Sequence, residues 1–142
     1  MNYRIASLDD CKKLAEWNHQ LIRDEGDRNP MNIAQLEERM SNWLASREYT
    51  AVIFEHDDEP GAYALFRSSS DEIYLRQLFV VRHRRRQGIG RRAIEMLISE
   101  LFDKRKRLTV AVLAHNHSAI SFWHALGFTD YSLHLEMMPR FD

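Results

Sequence analysis

The chain has 142 residues with 20 basic and 21 acidic side chains, 44% apolar and 29% charged residues, 5 Gly, 3 Pro and one cysteine, Cys11. This composition excludes disorder, collagen-like repetition and a disulfide-rich secreted scaffold, and a formal charge of −1 argues against a general polyanion-binding surface. A chain of this length buries roughly 69% of the surface its unfolded form exposes, which suffices for one domain, 1–142, without disulfide or structural metal.

Charged residues interrupt every apolar run before it could cross a bilayer, and Met1–Asp10 lacks the basic-then-apolar layout of a signal peptide. The expectation is a cytoplasmic protein without a membrane partner. Ser7 and Asp10 have the spacing of a capping box, and Leu8, Cys11, Leu14, Ala15, Leu21 and Ile22 supply helical spacing after it, with Asn18 on the same stripe. Gly26, Asn29 and Pro30 break this helix, and Ile33, Leu36, Met40, Trp43 and Leu44 trace a second one capped by Asn32. From Thr50 the period becomes two. Thr50–Glu55 and Ala62–Arg67 read as a hairpin around an acidic turn ending in Pro60 and Gly61, and Ile73–Val81 as a third strand.

Gly88 opens a helix with Ile89, Ala93, Ile94, Leu97, Ile98 and Leu101 on its apolar face and an Arg91–Glu95 pair outside. Leu108–Leu113 is apolar without alternation, as in a strand covered on both faces, so Ile73–Leu113 reads as a parallel strand-helix-strand unit. Ser118–Leu126 forms a short helix ended by Gly127, and Tyr131, Leu133, Leu135 and Met137 alternate with polar residues in a final strand. The predicted order is ααβββαβαβ.

Six arginines fall between Arg82 and Arg92, and a second basic run covers Lys104–Arg107. In the stretch Arg84-Arg85-Arg86-Gln87-Gly88-Ile89-Gly90-Arg91, glycines let the backbone turn tightly and approach a ligand, while the first amides of the following helix have no intrahelical partner. Two readings stand: an anion site of free amides, helix dipole and guanidinium groups, or a tight turn carrying a solvated charge run. Gly88, Gly90 and Ala93 also fit one variant of the dinucleotide fingerprint, but that motif follows its strand directly and needs an acidic residue after the next strand, where this chain has Ala114, His115 and Asn116. No Gly-Lys-Ser/Thr follows the turn, so a Walker A loop is excluded.

Leu78-Phe79-Val80, then Arg85-Arg86-Gln87-Gly88-Ile89-Gly90, then Asn116, Ala119, Ile120, Phe122 and Leu126-Gly127-Phe128 together resemble the two hallmark motifs of the GNAT superfamily of acyl-CoA N-acyltransferases. The resemblance extends over the whole element order. It implies a mixed α/β GNAT fold, with antiparallel N-terminal strands, a parallel βαβ unit and helices on both faces, and acetyl-CoA as acyl donor. Leu78–Val80 would splay from the next strand and offer backbone to the pantetheine arm, and the amides of Arg86, Gln87, Gly88, Ile89, Gly90 and Arg91 would cradle the pyrophosphate. Arg85 and neighbouring arginines would meet the ribose phosphate, and Asn116 matches a family contact to the donor. An amide near Leu78 or Phe79 would hold the oxyanion while an amine attacks directly.

The tyrosine that many members use as general acid is Trp123 here, whose indole cannot take that role and whose position on the apolar stripe fits packing. Positions where the family often carries a base hold Tyr74, Arg76 and Ala111, leaving Tyr74 as a water-orienting candidate and Glu25 as an acidic alternative. Asn18, Asp24 and Glu25 are the candidate acceptor contacts, and the acidic Asp24–Asp27 loop favours a cationic amine. His115, His117 and His124 lack cysteine or carboxylate company, so no metal is expected. The short C-terminal end leaves the acceptor wall incomplete, which a second copy in a homodimer would fill. Two rivals remain open: a non-catalytic acyl-CoA sensor, and a nucleic-acid module whose arginines contact phosphates.

Overall fold

The computed structural model describes residues 1–141. The elements are β1 (Asn2–Ile5), α1 (Cys11–Glu25), α2 (Ile33–Ser46), β2 (Thr50–His56), β3 (Glu59–Ser68), β4 (Glu72–Val80), α3 (Ile89–Met96), β5 (Arg107–Val110) and α4 (His117–Ala125). They build a mixed five-stranded sheet in the order β1-β2-β3-β4-β5, antiparallel as far as β4 and parallel between β4 and β5.

Local chemistry explains the boundaries. Ser7 and Asp10 do form a capping box, but it opens a single 3₁₀ turn at Leu8–Asp10 that leads into α1, and the Asp10 carboxylate is also held by Arg4. α1 ends where Gly26 takes a left-handed conformation with φ 67°, and Asn32 caps α2 by accepting from the Gln35 amide at 2.9 Å. α3 continues into a π turn at Leu97–Leu101 before the chain reverses to β5.

Several expectations need correction. The order begins with a strand, because β1 pairs with β2 as an exposed edge strand too short to show apolar alternation. The hairpin turns at Asp57 and Asp58, both at positive φ (53° and 62°) as a two-residue type I′ loop requires, and Pro60 and Gly61 lie inside β3 beside a register irregularity. β5 stops at Val110 and is half-buried rather than enclosed on both faces. The final strand does not form: 129–141 carries no regular structure, and Tyr131, Leu133 and Leu135 are 82, 85 and 84% exposed.

Two cores flank the sheet. On one face α3 and the π turn after it pack Ile89, Ala93, Ile94 and Leu97 onto Val52, Phe54, Ala64 and Leu75. On the other, Leu14 and Leu21 of α1 and Met40 of α2 meet Ile53, Tyr63, Leu65 and Phe79. β4 serves both cores through a bulge. Leu65 pairs with Gln77 but Phe66 with Leu75, so Arg76 is an extra residue that reverses the parity of the strand. Ile73 and Leu75 before it, and Leu78 and Val80 after it, all face the α3 core, while Tyr74 and Phe79 face the α1 side.

Candidate functional site

The β4–β5 ladder ends at the pair Leu75–Val110, and β4 runs five residues further with no partner on that side. The Val81 amide donates to the Gly61 carbonyl of β3 at 2.9 Å, so strand alternation turns the N–H and C=O groups of Val80 and Leu78 away from β3 and into the gap beside β5. Phe79 faces back toward Tyr63. Among the described residues, the Val80 carbonyl accepts from Arg85 Nε at 2.8 Å.

Beyond Val81, a 3₁₀ turn at Arg82–Arg84 leads to Arg86 and Gly88, both at positive φ (65° and 73°), and Gly88 caps α3 without a side chain. A side chain at Gly88 would meet nothing within 4 Å, so the space before the α3 amides is open and these amides face it with the positive end of the helix dipole. Gly90 has a different reason. A Cβ there would sit 3.4 Å from the Phe122 ring, in contact with α4, so this glycine faces protein rather than open space. An anionic pyrophosphate fits the first of these features: unfilled space, unpaired amides and positive potential.

The arginines are less available than their number implied. Arg82 and Arg85 both bind the Asp24 carboxylate, Arg84 reaches Glu59 at 2.9 Å, and Arg91 pairs with Glu95 at 2.9 Å. Among the described residues, only Arg86 and Arg92 of the six make no ion pair. Burial of the Asp24 carboxyl would raise its pKa, but hydrogen bonds from Arg85, Arg82 and Gln20 outweigh this and hold it below the ordinary value. Asp24 thus ties the end of α1 to the end of β4 through Arg85, which grips Val80 as well.

Glu25 follows directly at the end of that tied helix. Burial, then the charges of Asp27 and Asp24, raise its carboxyl from 4.5 to about 7. Glu25 lies on one helical stripe with Leu14, Asn18 and Leu21, facing Tyr63, and its charge contributes with burial to keeping the Tyr63 phenol well above its ordinary pKa. Tyr63 donates to Gln77 Oε1 at 2.8 Å, and its ring stacks on Trp17. Asn18 is buried and accepts from Arg39 at 3.3 Å, while Arg39 and Arg76 both lie against the Trp43 ring. Burial and the neighbouring Arg76 lower the pKa of Arg39.

The structure therefore brings Asn18, Glu25 and Phe79 to the α1 side of the sheet end, leaves the Leu78 side chain on the α3 side, and brings Gln87, Gly88, Ile89, Gly90 and Arg91 to the start of α3. Tyr74 sits apart, opposite Thr109 in the paired part of the β4–β5 ladder and beneath the Arg67 guanidinium. Asn116 caps α4, its Oδ1 accepting from the Ala119 amide and the Ser118 hydroxyl, each at 3.3 Å. Trp123 packs edge-to-face between Phe122 and Phe128. His115 Nε2 lies 3.0 Å from the Glu25 carbonyl, and His124 pairs with Asp130, so the histidines serve separate contacts.

Residues 9–128 match the acetyltransferase (GNAT) family model. The chain belongs to the GNAT acetyltransferase family. It is similar to solved structures along nearly its whole length. A tetramutant of the BH1408 protein from Bacillus halodurans shares 24% identity over 98% of this chain and all of that one, with a TM-score of 0.81. A predicted acetyltransferase from Clostridium acetobutylicum, solved with acetyl-CoA, shares 19% over 96% of this chain and 95% of that one, at 0.72. Aminoglycoside N-acetyltransferase AAC(6')-Iy, solved with CoA, shares 15% over 98% and 94%, at 0.76. No curated protein matches the chain at the sequence level. Among the described residues, no helix of this acetyltransferase is long and apolar enough to cross a membrane, and no three His, Cys, Asp or Glu side chains converge as metal ligands.

Proposed function

We propose that the chain transfers an acetyl group from acetyl-CoA to a primary amine by direct attack, with both substrates bound together. The observation that carries this reading is the Asp24–Arg85–Val80 link, which joins the end of α1, where the Glu25 carboxyl has a pKa of about 7, to the unpaired end of β4. The pantetheine arm lies in the gap between β4 and β5, as an added strand along Leu78 and Val80. The Leu78 amide, turned into that gap, donates to the thioester carbonyl and stabilises the negative charge that grows there during attack. The α3 amides hold the pyrophosphate, with Arg86 and Arg92 as the guanidinium groups free to meet further phosphate.

An amine acceptor is protonated near neutrality and must lose a proton before it can attack. Glu25, half ionised near pH 7, is the base that receives it, and Asn18 and Tyr63 line the same side. Asp24 is neutralised by arginines, so the preference for a cationic acceptor rests on Glu25 and Asp27 alone. The departing thiolate needs no acid from the protein, because a thiol has a pKa near ~8.5.

A second reading, a non-catalytic acyl-CoA sensor, draws on the packed Trp123 in place of an acidic hydroxyl. Calorimetric titration with acetyl-CoA and a panel of amines assayed for free CoA release test both. Tight binding with amine-dependent release is the expected result. Binding without release from any amine supports the sensor, and no binding at all overturns the site.

A further inference from the structure

Two guanidinium groups on the α1 and α2 side of the sheet have no carboxylate partner. Arg39 of α2 lies 4.5 Å from the centre of the Trp43 ring and Arg76 of β4 lies 4.8 Å from it, and among the described residues neither makes an ion pair. The nearby Glu48 pairs with Arg67 at 3.8 Å. The bulge brings Arg76 there: as the extra residue of β4 it leaves the alternation of the strand and donates to the Tyr49 hydroxyl at 3.3 Å. Arg39 gives one donor to Asn18 Oδ1, while its Nε, shielded from solvent, has no acceptor. Contact with an aromatic ring occupies the flat face of a guanidinium and leaves its in-plane N–H groups for an anion. A bound carboxylate would relieve this arrangement twice, by offsetting two neighbouring positive charges and by giving an unmet donor its acceptor.

The same face carries Glu25. Tyr63, buried in the sheet beneath, feels the charges of both Glu25 and Arg39. Asn18, which holds Arg39, and Glu25 share one stripe of α1 and stand about two helical turns, or about 10 Å, apart along its axis. We propose that the acceptor carries a carboxylate as well as its amine, the carboxylate meeting Arg39 and Arg76 and the amine meeting Glu25, with several bonds between them. This rests on the acyl transfer proposed above and adds the anionic half of its acceptor. The class is a chain-amine amino acid or the amino terminus of a short peptide. A plain α-amino acid is too short, because its two charged groups share one carbon, whereas an extended dipeptide spans about 7 Å and the facing side chains close the remainder. A polyamine, cationic at both ends, meets like charge at Arg39 and Arg76 and is rejected.

The test compares 6-aminohexanoate and glycylglycine with their amides, 6-aminohexanamide and glycylglycinamide, on the full chain, by CoA release and by ligand-observed NMR of each probe on the CoA-loaded protein. The expected result is a kcat/KM at least about tenfold higher for one of the carboxylates than for its amide, carried by KM, and loss of that ratio in Arg39→Gln and Arg76→Gln while acetyl-CoA affinity holds. Which of the two carboxylates shows it distinguishes the chain amine from the peptide terminus. Arg76 is exposed, so Arg76→Gln decides alone if Arg39→Gln misfolds. Equal turnover of acid and amide overturns the proposal and leaves acyl transfer standing, as does a preference that Arg76→Gln leaves intact. The NMR arm keeps the two readings apart. If no probe releases CoA, carboxylate binding that Arg76→Gln abolishes supports the anion site and counts against transfer. Absence of carboxylate binding to the parent at about 10 mM overturns the anion site.

Discussion

The chain up to Phe102 and the chain after it are built differently. Every described residue that is fully buried lies at or before Phe102, in two cores closed by helices from either side of the sheet. From Asp103 to Phe141 no residue is buried. β5 and α4 lean apolar side chains against the first core, and the tail stands in solvent. The splayed strand, the α3 amides and Glu25 all belong to the enclosed part. What the contrast teaches is a division of labour: the first part holds the residues of the proposed site in an enclosed frame, and the second supplies one wall of the gap.

The largest expected effect is on stability. Leu97→Ala, in a fully buried site in the π turn after α3, should cost about 2–5 kcal/mol in urea unfolding, and Leu126→Ala at the C-cap of α4 less than half of that. Equal losses would erase the contrast. Next comes Glu25→Gln, expected to lower kcat/KM for an amine by about a hundredfold or more while acetyl-CoA affinity holds, and to remove the limb of the pH–rate profile near 7. Linkage gives a second readout. The folded chain keeps this proton above the ordinary 4.5, so stability declines as pH rises from there to about 7 and then levels off. Glu25→Gln should therefore melt higher than the parent at pH 8, by at most about 1–2 kcal/mol after solvent screening, and match it below pH 4.

Gly88→Val should weaken acetyl-CoA binding at least about tenfold by calorimetry, about 1.4 kcal/mol, because its branched side chain fills the open space before the α3 amides and resists the left-handed φ. A folded variant with unchanged affinity would move the anion site elsewhere. The smallest effect is expected at Trp123→Phe, with kcat within about threefold, under 0.7 kcal/mol, as repacking among Phe122 and Phe128 would give. A hundredfold fall in a normally folded variant would bring the C-terminal part into the chemistry.

The helices were legible because each buries one face and so prints its period on the residues, and β2 and β3, buried on both faces, showed as apolar runs bounded by turn residues. β1 was not, since an exposed edge strand of four residues has no face to mark. Tyr131–Met137 shows the reverse failure: the alternation is present, but alternation reports a strand's preference and says nothing of whether its partner is in the same chain. At the site, Gly88, Asn18 and Glu25 could be picked out by type and spacing. Gln77 and Tyr63 could not, because the bulge at Arg76 resets the count of faces along β4 and only the paired strand reveals it. Arginine number was misleading for a related reason. The carboxylates that neutralise Arg82, Arg84 and Arg85 come from α1 and β3, far away in sequence.

Those same ion pairs bear on how quickly a ligand is captured. The connection between β4 and α3 is guyed on one side to Glu59 and on the other to Asp24. Ordering a slack connection around a ligand would cost about 1–2 kcal/mol of backbone entropy for each residue fixed, and here that loss is settled when the chain folds. An anion arriving at α3 docks on a rigid rim, so association should follow a single phase whose rate rises linearly with ligand concentration, with no plateau from a closing loop.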